Sequence, residues 1–416
     1  MFQAIPIRNY NQVSLREFLR AQREPNIIWV ILLFFLLLVF IWLSTPLIEV
    51  NSGIAYDGVY YAAMANRTTP DKTLSHVAPW CWRILTPFLA SLLPFSTVMN
   101  FKLMAFFSNW LSLLLLYGIL RQSDLPKWLA MLGVLFYAGV FWTIKFSFYT
   151  PTYIDFQTQT FTLAILYFTL RRNYKIVLMV IAIGVLQKET IFFLGPVVYT
   201  YYAMEQGWFS KKLIVYGTAL LFFSLLAFSV VRISIDPVND YEYLETYQAN
   251  LKQIWQPGFW PRFTLAIFSG LGLLPAILFY KRKILYQFLI MHPHWLLFII
   301  IGILLLFGGV DKARLFLYIL PAVVVFAAKL LEPMLTLNRR VMIWIGITLI
   351  LHFYLGNHIT PIGTVLEYTN RMVPDHTPGP LLSNFIRIGL TLMVWMGYTY
   401  YLSQIRFHKP VFTASQ

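Results

Sequence analysis

Long apolar runs separated by short polar stretches make up most of the chain. A membrane-spanning helix needs about 20 mainly apolar residues, and runs of roughly this kind recur from residue 27 to residue 402. The pattern predicts about 12 transmembrane helices, with a range of about 10 to 13, because two short runs meet at Gln187-Lys188-Glu189-Thr190 and could form one bent element. The predicted spans are Ile27–Ile48, Phe101–Leu120, Trp128–Ile144, Ile154–Leu170, Tyr174–Leu186, Thr190–Ala203, Leu213–Val231, Phe263–Tyr280, Trp295–Phe307, Leu315–Leu331, Val341–Leu355 and Phe385–Leu402.

Composition supports this class of protein. Hydrophobic residues make up 59% of the 416 residues and charged residues only 12%, with a mean hydropathy of +0.66, whereas a soluble domain carries about 25% charged residues. We therefore predict an all-α polytopic membrane protein with one transmembrane domain over residues 1–416. A single cysteine, Cys81, excludes an intrachain disulfide. The chain has no Walker A loop or Rossmann glycine pattern, which argues against ATP-driven transport by this chain alone.

The distribution of basic residues predicts the orientation in the membrane. Residues 1–26 are polar, and the apolar run that follows is too long for the core of a signal peptide, so we expect a cytoplasmic N-terminal segment rather than a cleaved leader. With the spans alternating from there, the inner side holds 19 of the 32 basic and 5 of the 17 acidic residues, a net formal charge of +14 against +1 outside. The predicted localisation is the plasma (inner) membrane, multi-pass, with both termini cytoplasmic. The long outer loops are 49–100, 233–262 and 356–384, and residues 403–416 form a cytoplasmic tail.

Function usually resides in loops, so the outer face is the predicted working face. Its first loop contains Tyr56-Asp57-Gly58-Val59-Tyr60-Tyr61. Asp57 could be a turn or helix-capping residue, which the following glycine favours. It could also be a functional carboxylate, because an ionisable group at the membrane boundary is costly unless water, a partner or a substrate meets it. Tyr56, Tyr60 and Tyr61 would then be rings able to stack on a sugar or an isoprenoid.

The stretch from Pro79 to Pro94, in the same loop, has proline at both ends and an apolar face between them. This pattern favours an interfacial helix that lies along the membrane rather than crossing it. Within it, Arg83 could be an anchor that snorkels to the surface or a bidentate clamp for a phosphate.

Charged residues also stand at the outer ends of later spans. They are Lys145 and Asp155, the adjacent pair Lys188-Glu189, and Lys312 and Arg314 after a Gly308-Gly309 turn. Neighbouring opposite charges could simply neutralise one another and hold helices in register. A carboxylate beside several cations, however, can deprotonate a hydroxyl or hold a divalent ion while the cations bind a phosphate or diphosphate. The histidines are too scattered to predict a metal site.

Together these stretches resemble the GT-C superfamily of polytopic glycosyltransferases, which take sugars from polyprenyl-phosphate donors on the outer face. Asp57 matches the position of the functional acid in the first outer loop of that superfamily. Arg83-Ile84-Leu85-Thr86-Pro87, Asp155 at a span start, Lys188-Glu189-Thr190 and Arg314-Leu315-Phe316-Leu317-Tyr318-Ile319-Leu320-Pro321 are similar to recurring pieces of bacterial members. Many members have paired acids in that loop, whereas here Asp71 lies well downstream of Asp57. No cofactor follows firmly, and a divalent cation (Mg²⁺ or Mn²⁺) is left open.

The resemblance implies a GT-C-like fold and an inverting transfer to an acceptor hydroxyl, with Asp57 as base or acceptor-orienting acid. It implies donor-phosphate binding by Arg83, Lys188, Lys312 and Arg314. The remaining candidates, Tyr56, Tyr60, Tyr61, Lys145, Asp155 and Glu189, would contact substrate. The expected partners are a polyprenyl-phosphate-linked sugar, a glycan, lipid or protein acceptor, and membrane lipids, with no nucleic acid. The alternatives are a secondary transporter or flippase of about 12 spans, or a polymerase of lipid-linked glycans.

Overall fold

The computed structural model describes residues 27–66, 72–256, 259–309, 312–332, 339–358 and 381–404. The predicted segment 1–26 lies outside these ranges, as do most of the loop 356–384 and of the tail 403–416. The regular structure within the described ranges is helical throughout. The α-helices are α1 (Ile27–Ser44), α2 (Gly58–Ala65), α3 (Lys72–Ser75), α4 (Leu85–Ser91), α5 (Thr97–Gln122), α6 (Lys127–Gly139), α7 (Ile144–Tyr149), α8 (Asp155–Leu170), α9 (Tyr174–Gln187), α10 (Gly195–Gln206), α11 (Lys211–Ser234), α12 (Tyr243–Lys252), α13 (Phe259–Leu271), α14 (Leu274–Tyr280), α15 (Arg282–Met291), α16 (Pro293–Leu305), α17 (Lys312–Leu315), α18 (Leu320–Leu331), α19 (Arg339–His358) and α20 (Leu381–Gln404).

Each predicted span overlaps at least one of these helices, so the all-helical class is confirmed, and the fold is compatible with a helical membrane protein. By length and composition, three described helices could cross a membrane, namely α1, α5 and α11, and up to six segments could do so if each bent helix pair is one span. The three bent pairs turn by 97° between α13 and α14, by 106° between α15 and α16, and by 65° between the α17 segment and α18. In each case a proline, Pro275, Pro293 or Pro321, stands at the first or second position of the second helix. Proline lacks the N–H that would continue the preceding helix, which explains a break at these points.

Helices α5 and α8 pack along one another at the centre of the fold, and α9 packs on α8. Helix α8 is unusual because its first turns bury polar side chains, among them Gln157, Thr158 and Thr160. Thr160 shares a hydrogen bond with Ser112 of α5 at 2.8 Å between the two hydroxyl oxygens. A helix with buried polar side chains brings the carboxylate at its start, Asp155, into the protein interior.

The outward sides of α1 and α11 are apolar. Trp29, Phe40 and Leu43 on α1, and Val215 and Phe222 on α11, are each more than half exposed. Large apolar side chains exposed along two helices are compatible with insertion into a membrane.

His352 of α19 fixes the break between α13 and α14. Its Nδ1 accepts a hydrogen bond from the Leu273 backbone N–H at 3.2 Å, so Nε2 carries the proton and donates to the Phe136 carbonyl at 2.7 Å. The ring lies against Gly272, whose φ of +57° suits glycine. His352 is therefore a structural residue that joins three helical segments.

The first outer loop differs from the sequence expectation. In place of one helix between Pro79 and Pro94, the chain forms a 3₁₀-helix at Trp80–Trp82 and the separate helix α4. Arg83 lies at the break between them, with φ −99° and ψ 66°. The pattern also missed α12 and α15, because neither is a long apolar run.

Candidate functional site: a buried ion-pair network

Six of the charged residues singled out from the sequence form two ion-pair groups, which meet at the adjacent residues Lys188 and Glu189 and together are called the network. They come from five separate stretches of the chain and are Asp57, Arg83, Asp155, Lys188, Glu189 and Arg314. The three cations and three carboxylates balance to a formal charge of zero. This balance matches the structural alternative considered above, in which opposite charges neutralise one another, but it also gathers the candidate residues into a single place.

Asp155, the first residue of α8, lies at the centre of the network and is almost fully buried. Its Oδ1 lies 2.6 Å from the Lys188 Nζ and accepts a hydrogen bond from the Tyr318 hydroxyl at 3.1 Å. Its Oδ2 accepts from the Arg314 NH1 at 3.0 Å. A carboxylate in the first turn of a helix is also favoured by the helix dipole. Two cations and a hydroxyl therefore hold Asp155 in its ionised form.

Arg83 and Glu189 form the second part of the network. The Arg83 Nε and NH2 donate to the two Glu189 carboxylate oxygens at 3.0 and 2.5 Å, which is the paired geometry that a guanidinium suits best. Arg83 NH1 donates to the Tyr61 hydroxyl at 2.9 Å. Burial lowers the pKa of Arg83, but Glu189 and Tyr61 raise it well above its ordinary value, so the guanidinium stays charged.

Asp57 stands at the edge of the network. It lies in a turn and occupies the N-cap position of α2, as the structural alternative expects, although its side chain accepts no capping hydrogen bond. Its Oδ2 instead lies 3.7 Å from Arg314 NH2, and 32% of its side chain is exposed, against 5% for Asp155. Among the six residues, Asp57 is the one that an outside molecule meets most readily.

Gly58 sets the position of Asp57 for a reason that the Asp-Gly pair did not reveal. A Cβ at residue 58 would lie 2.0 Å from the hydroxyl oxygen of the buried Thr152. Only glycine lets the start of α2 approach the 150–154 turn this closely.

Neighbouring polar residues that the sequence did not single out hold the network together. The Gln187 Oε1 accepts from the Thr86 backbone N–H at 3.1 Å and from its hydroxyl at 2.6 Å, and the Gln187 Nε2 donates to the Ile154 carbonyl at 3.1 Å. Gln187 therefore ties the segment after Arg83 to the start of α8, directly before Lys188 and Glu189 along the chain. The sequence signal that could have identified Gln187 is its position immediately before Lys188. For Tyr318 the signal is its position one helical turn after Arg314.

The other predicted residues lie in different settings. Tyr60 stacks on Trp80 with ring centroids 4.2 Å apart. Lys312 is buried and donates to the Gly309 carbonyl at 2.6 Å, with its Nζ 5.4 Å from the Phe307 ring. Lys145 is half-buried in α7, and Tyr56 packs against the main core.

A cover segment, residues 235–256, contacts the loop predicted at 49–100. The Ala78 N–H donates to Asn239 Oδ1 at 2.7 Å, and Asn239 Nδ2 donates back to the Ala78 carbonyl at 3.2 Å. Next to these two hydrogen bonds, the Arg232 guanidinium lies 4.2 Å from the Trp82 ring and donates to the Tyr243 hydroxyl at 2.6 Å. The cover segment therefore closes over the residues that directly precede Arg83.

Across the described ranges, no group of three or more His, Cys, Asp and Glu side chains is arranged to hold a metal ion. Asp57 and Asp155 both face the Arg314 guanidinium. A divalent cation between them would be opposed by that charge, so the residues do not fit the cation left open by the sequence.

Comparison with known proteins found no match to the chain among family models, curated proteins or solved structures.

Proposed function

We propose that the protein is an integral membrane glycosyltransferase. It would move a sugar from a polyprenyl-phosphate donor to an acceptor hydroxyl on the extracytoplasmic face. The observation that carries the proposal is the convergence of Asp57, Arg83, Asp155, Lys188, Glu189 and Arg314, from five stretches of an apolar helical chain, into one network with a carboxylate at its accessible edge.

The proposed transfer step depends on which charged groups of the network are fixed by partners and which one is accessible to substrate. Arg314, fixed by Asp155, offers a guanidinium to the donor phosphate. The acceptor oxygen attacks the anomeric carbon, the bond from that carbon to the phosphate oxygen breaks, and its electron pair leaves with polyprenyl phosphate. Asp57 accepts the proton of the acceptor hydroxyl, the task of a general base. Attack opposite the leaving phosphate inverts the anomeric centre.

The aromatic residues around the network supply a surface for the sugar or the isoprenoid chain. The stacked pair of Tyr60 and Trp80 lies in the first outer loop, and Trp82 stacks with Tyr243 of the cover segment at 6.2 Å between ring centroids. Flat apolar rings with polar edges suit a ligand that has one apolar and one polar side.

The test is a transfer assay with the purified protein in lipid nanodiscs. A panel of labelled polyprenyl-phosphate sugars is supplied with membrane glycan acceptors, and both sugar transfer and released polyprenyl phosphate are measured. The proposal expects the two products in equal amounts from at least one donor. Release of neither product from any donor, by protein that keeps its thermal unfolding transition, would refute it.

A secondary transporter is the second candidate, and the three bent helix pairs favour it. Transporters use interrupted helices to form substrate sites, and the pairs here bend by 97°, 106° and 65°. Uptake of a solute into proteoliposomes without any sugar transfer would select this class over the glycosyltransferase.

A further inference from the structure

Arg314 holds its two carboxylates unequally. Its NH1 lies 3.0 Å from Asp155 Oδ2, a normal charged hydrogen bond, whereas its NH2 lies 3.7 Å from Asp57 Oδ2. The longer distance is beyond that of a hydrogen bond. Arg314 therefore presents one edge that is firmly bound and one edge that faces a loosely held, partly exposed anion.

The other two cations of the network are paired with more deeply buried carboxylates. Arg83 is paired with both oxygens of Glu189, and Lys188 lies 2.6 Å from Asp155. The side chains of these two carboxylates are 15% and 5% exposed, against 32% for Asp57. Separating a buried ion pair leaves an uncompensated charge in the interior, which is strongly unfavourable. An incoming anion therefore does not replace Glu189 or Asp155.

We propose that Asp57 is a resident counter-ion that a phosphate group displaces from Arg314. Partly exposed ion pairs are weak, so a phosphate oxygen that reaches hydrogen-bonding distance of NH2 replaces the contact at little cost. The guanidinium keeps its position when Asp57 leaves, because Asp155 binds its other edge and the Tyr153 ring lies 4.6 Å from its centre.

This displacement sets the order of steps in the proposed reaction. Its catalytic consequence rests on the proposed function. While Asp57 faces Arg314, its carboxylate lies 3.7 Å from the guanidinium and occupies the place that the phosphate would take. Once the phosphate has taken its place, the carboxylate is released beside the bound donor and can accept the proton of an incoming hydroxyl. Donor binding thus precedes activation of the acceptor. Of the four cations predicted to bind phosphate, Arg314 alone carries this role, whereas Arg83 and Lys188 hold the network in shape.

The test measures binding, not turnover. Wild type and variants in nanodiscs are titrated with polyprenyl phosphate in the bilayer and, in a separate arm, with inorganic phosphate, with tryptophan fluorescence as the readout. Asp57→Asn removes the competing charge and should tighten phosphate binding about two- to fivefold, the factor that corresponds to one weak exposed ion pair. Asp57→Glu keeps the charge and should bind no more tightly than wild type, while Arg314→Gln should lose binding.

Asp236→Asn is the matched control, because Asp236 is an exposed acid of the cover segment and its removal lowers the outer negative charge equally. Tighter phosphate binding by Asp57→Asn but not by Asp236→Asn, in either arm, supports the displacement. Tighter binding in the polyprenyl-phosphate arm alone assigns the phosphate to a lipid headgroup. Equal tightening by both variants, or unchanged or weaker binding by Asp57→Asn, overturns it. If the displacement is overturned while wild type still transfers sugar, only the displacement is refuted. If wild type transfers sugar from no donor, the proposed function is refuted.

Discussion

The Arg83–Glu189 pair allows a quantitative test of the network. Its two side chains are 11% and 15% exposed, and two guanidinium–carboxylate hydrogen bonds at 2.5 and 3.0 Å join them. Removing one partner of a buried pair costs about 3–5 kcal/mol, because the other charge stays buried without compensation. We therefore expect Arg83→Met and Glu189→Leu each to reduce the free energy of unfolding by about this amount.

The double variant should lose about 2–3 kcal/mol less than the sum of the two single losses. Replacing both charges by apolar side chains of similar size removes the pair together with its desolvation cost. The expected coupling between the sites is about 2–3 kcal/mol, at the upper end of the range for residues in direct contact. Arg83→Met also removes the hydrogen bond to Tyr61, so its single effect should exceed that of Glu189→Leu.

The measurement is unfolding in mixed micelles titrated with a denaturing detergent, followed by circular dichroism for the four members of the cycle. Arg172 and Glu205 supply a matched control pair, joined at 2.7 Å but more exposed, at 24% and 17%. The corresponding cycle there should give smaller single losses and leave sugar transfer unchanged. Additive losses at Arg83 and Glu189, with coupling under about 0.5 kcal/mol, would refute the reasoning.

Two further predictions concern residues that position the network. Gly58→Ala places a Cβ 2.0 Å from the Thr152 hydroxyl oxygen, so it should lower the free energy of unfolding by about 1–3 kcal/mol and reduce sugar transfer by moving Asp57. Thr152→Ala should restore part of the loss. Gly195→Ala, where no atom lies within 4 Å of the added Cβ, should be harmless in the same unfolding and transfer assays. His352→Leu leaves the Leu273 N–H and the Phe136 carbonyl without their partner; it should cost about 1–3 kcal/mol for each, and an unchanged thermal midpoint would contradict the structural role.

The helical class is readable from the sequence, because long apolar runs interrupted by short charged segments predict helices. Pro275 marks the break between α13 and α14 in the sequence, although the apolar run Phe263–Tyr280 was predicted as one span. The sequence does not show the contribution of His352, which is distant along the chain and bonds to Leu273 only when α19 packs there. Helix α15 was hidden for another reason: its first residues, Arg282 and Lys283, are typical of a short basic loop.

The site was predictable as a set of residue types but not as a set of pairs. Charges at the ends of apolar segments identified Asp57, Arg83, Asp155 and Arg314, because such charges are costly without partners. Sequence could not tell that Glu189 pairs with Arg83 rather than with its neighbour Lys188. Nor could it tell that Gly58 serves a close approach to Thr152, since pairing across the fold depends on where α2, α8 and the 188–189 turn meet.

The most direct test of the account is the sugar-transfer rate of Asp57→Asn beside wild type, in nanodiscs with the donor that supports turnover. Asparagine keeps the size of the side chain but cannot accept the acceptor proton, so we predict a fall in kcat of about 100-fold or more, with donor phosphate still bound. Asp236→Asn should transfer at the wild-type rate. Near-normal transfer by Asp57→Asn would contradict the central claim that this carboxylate is the base.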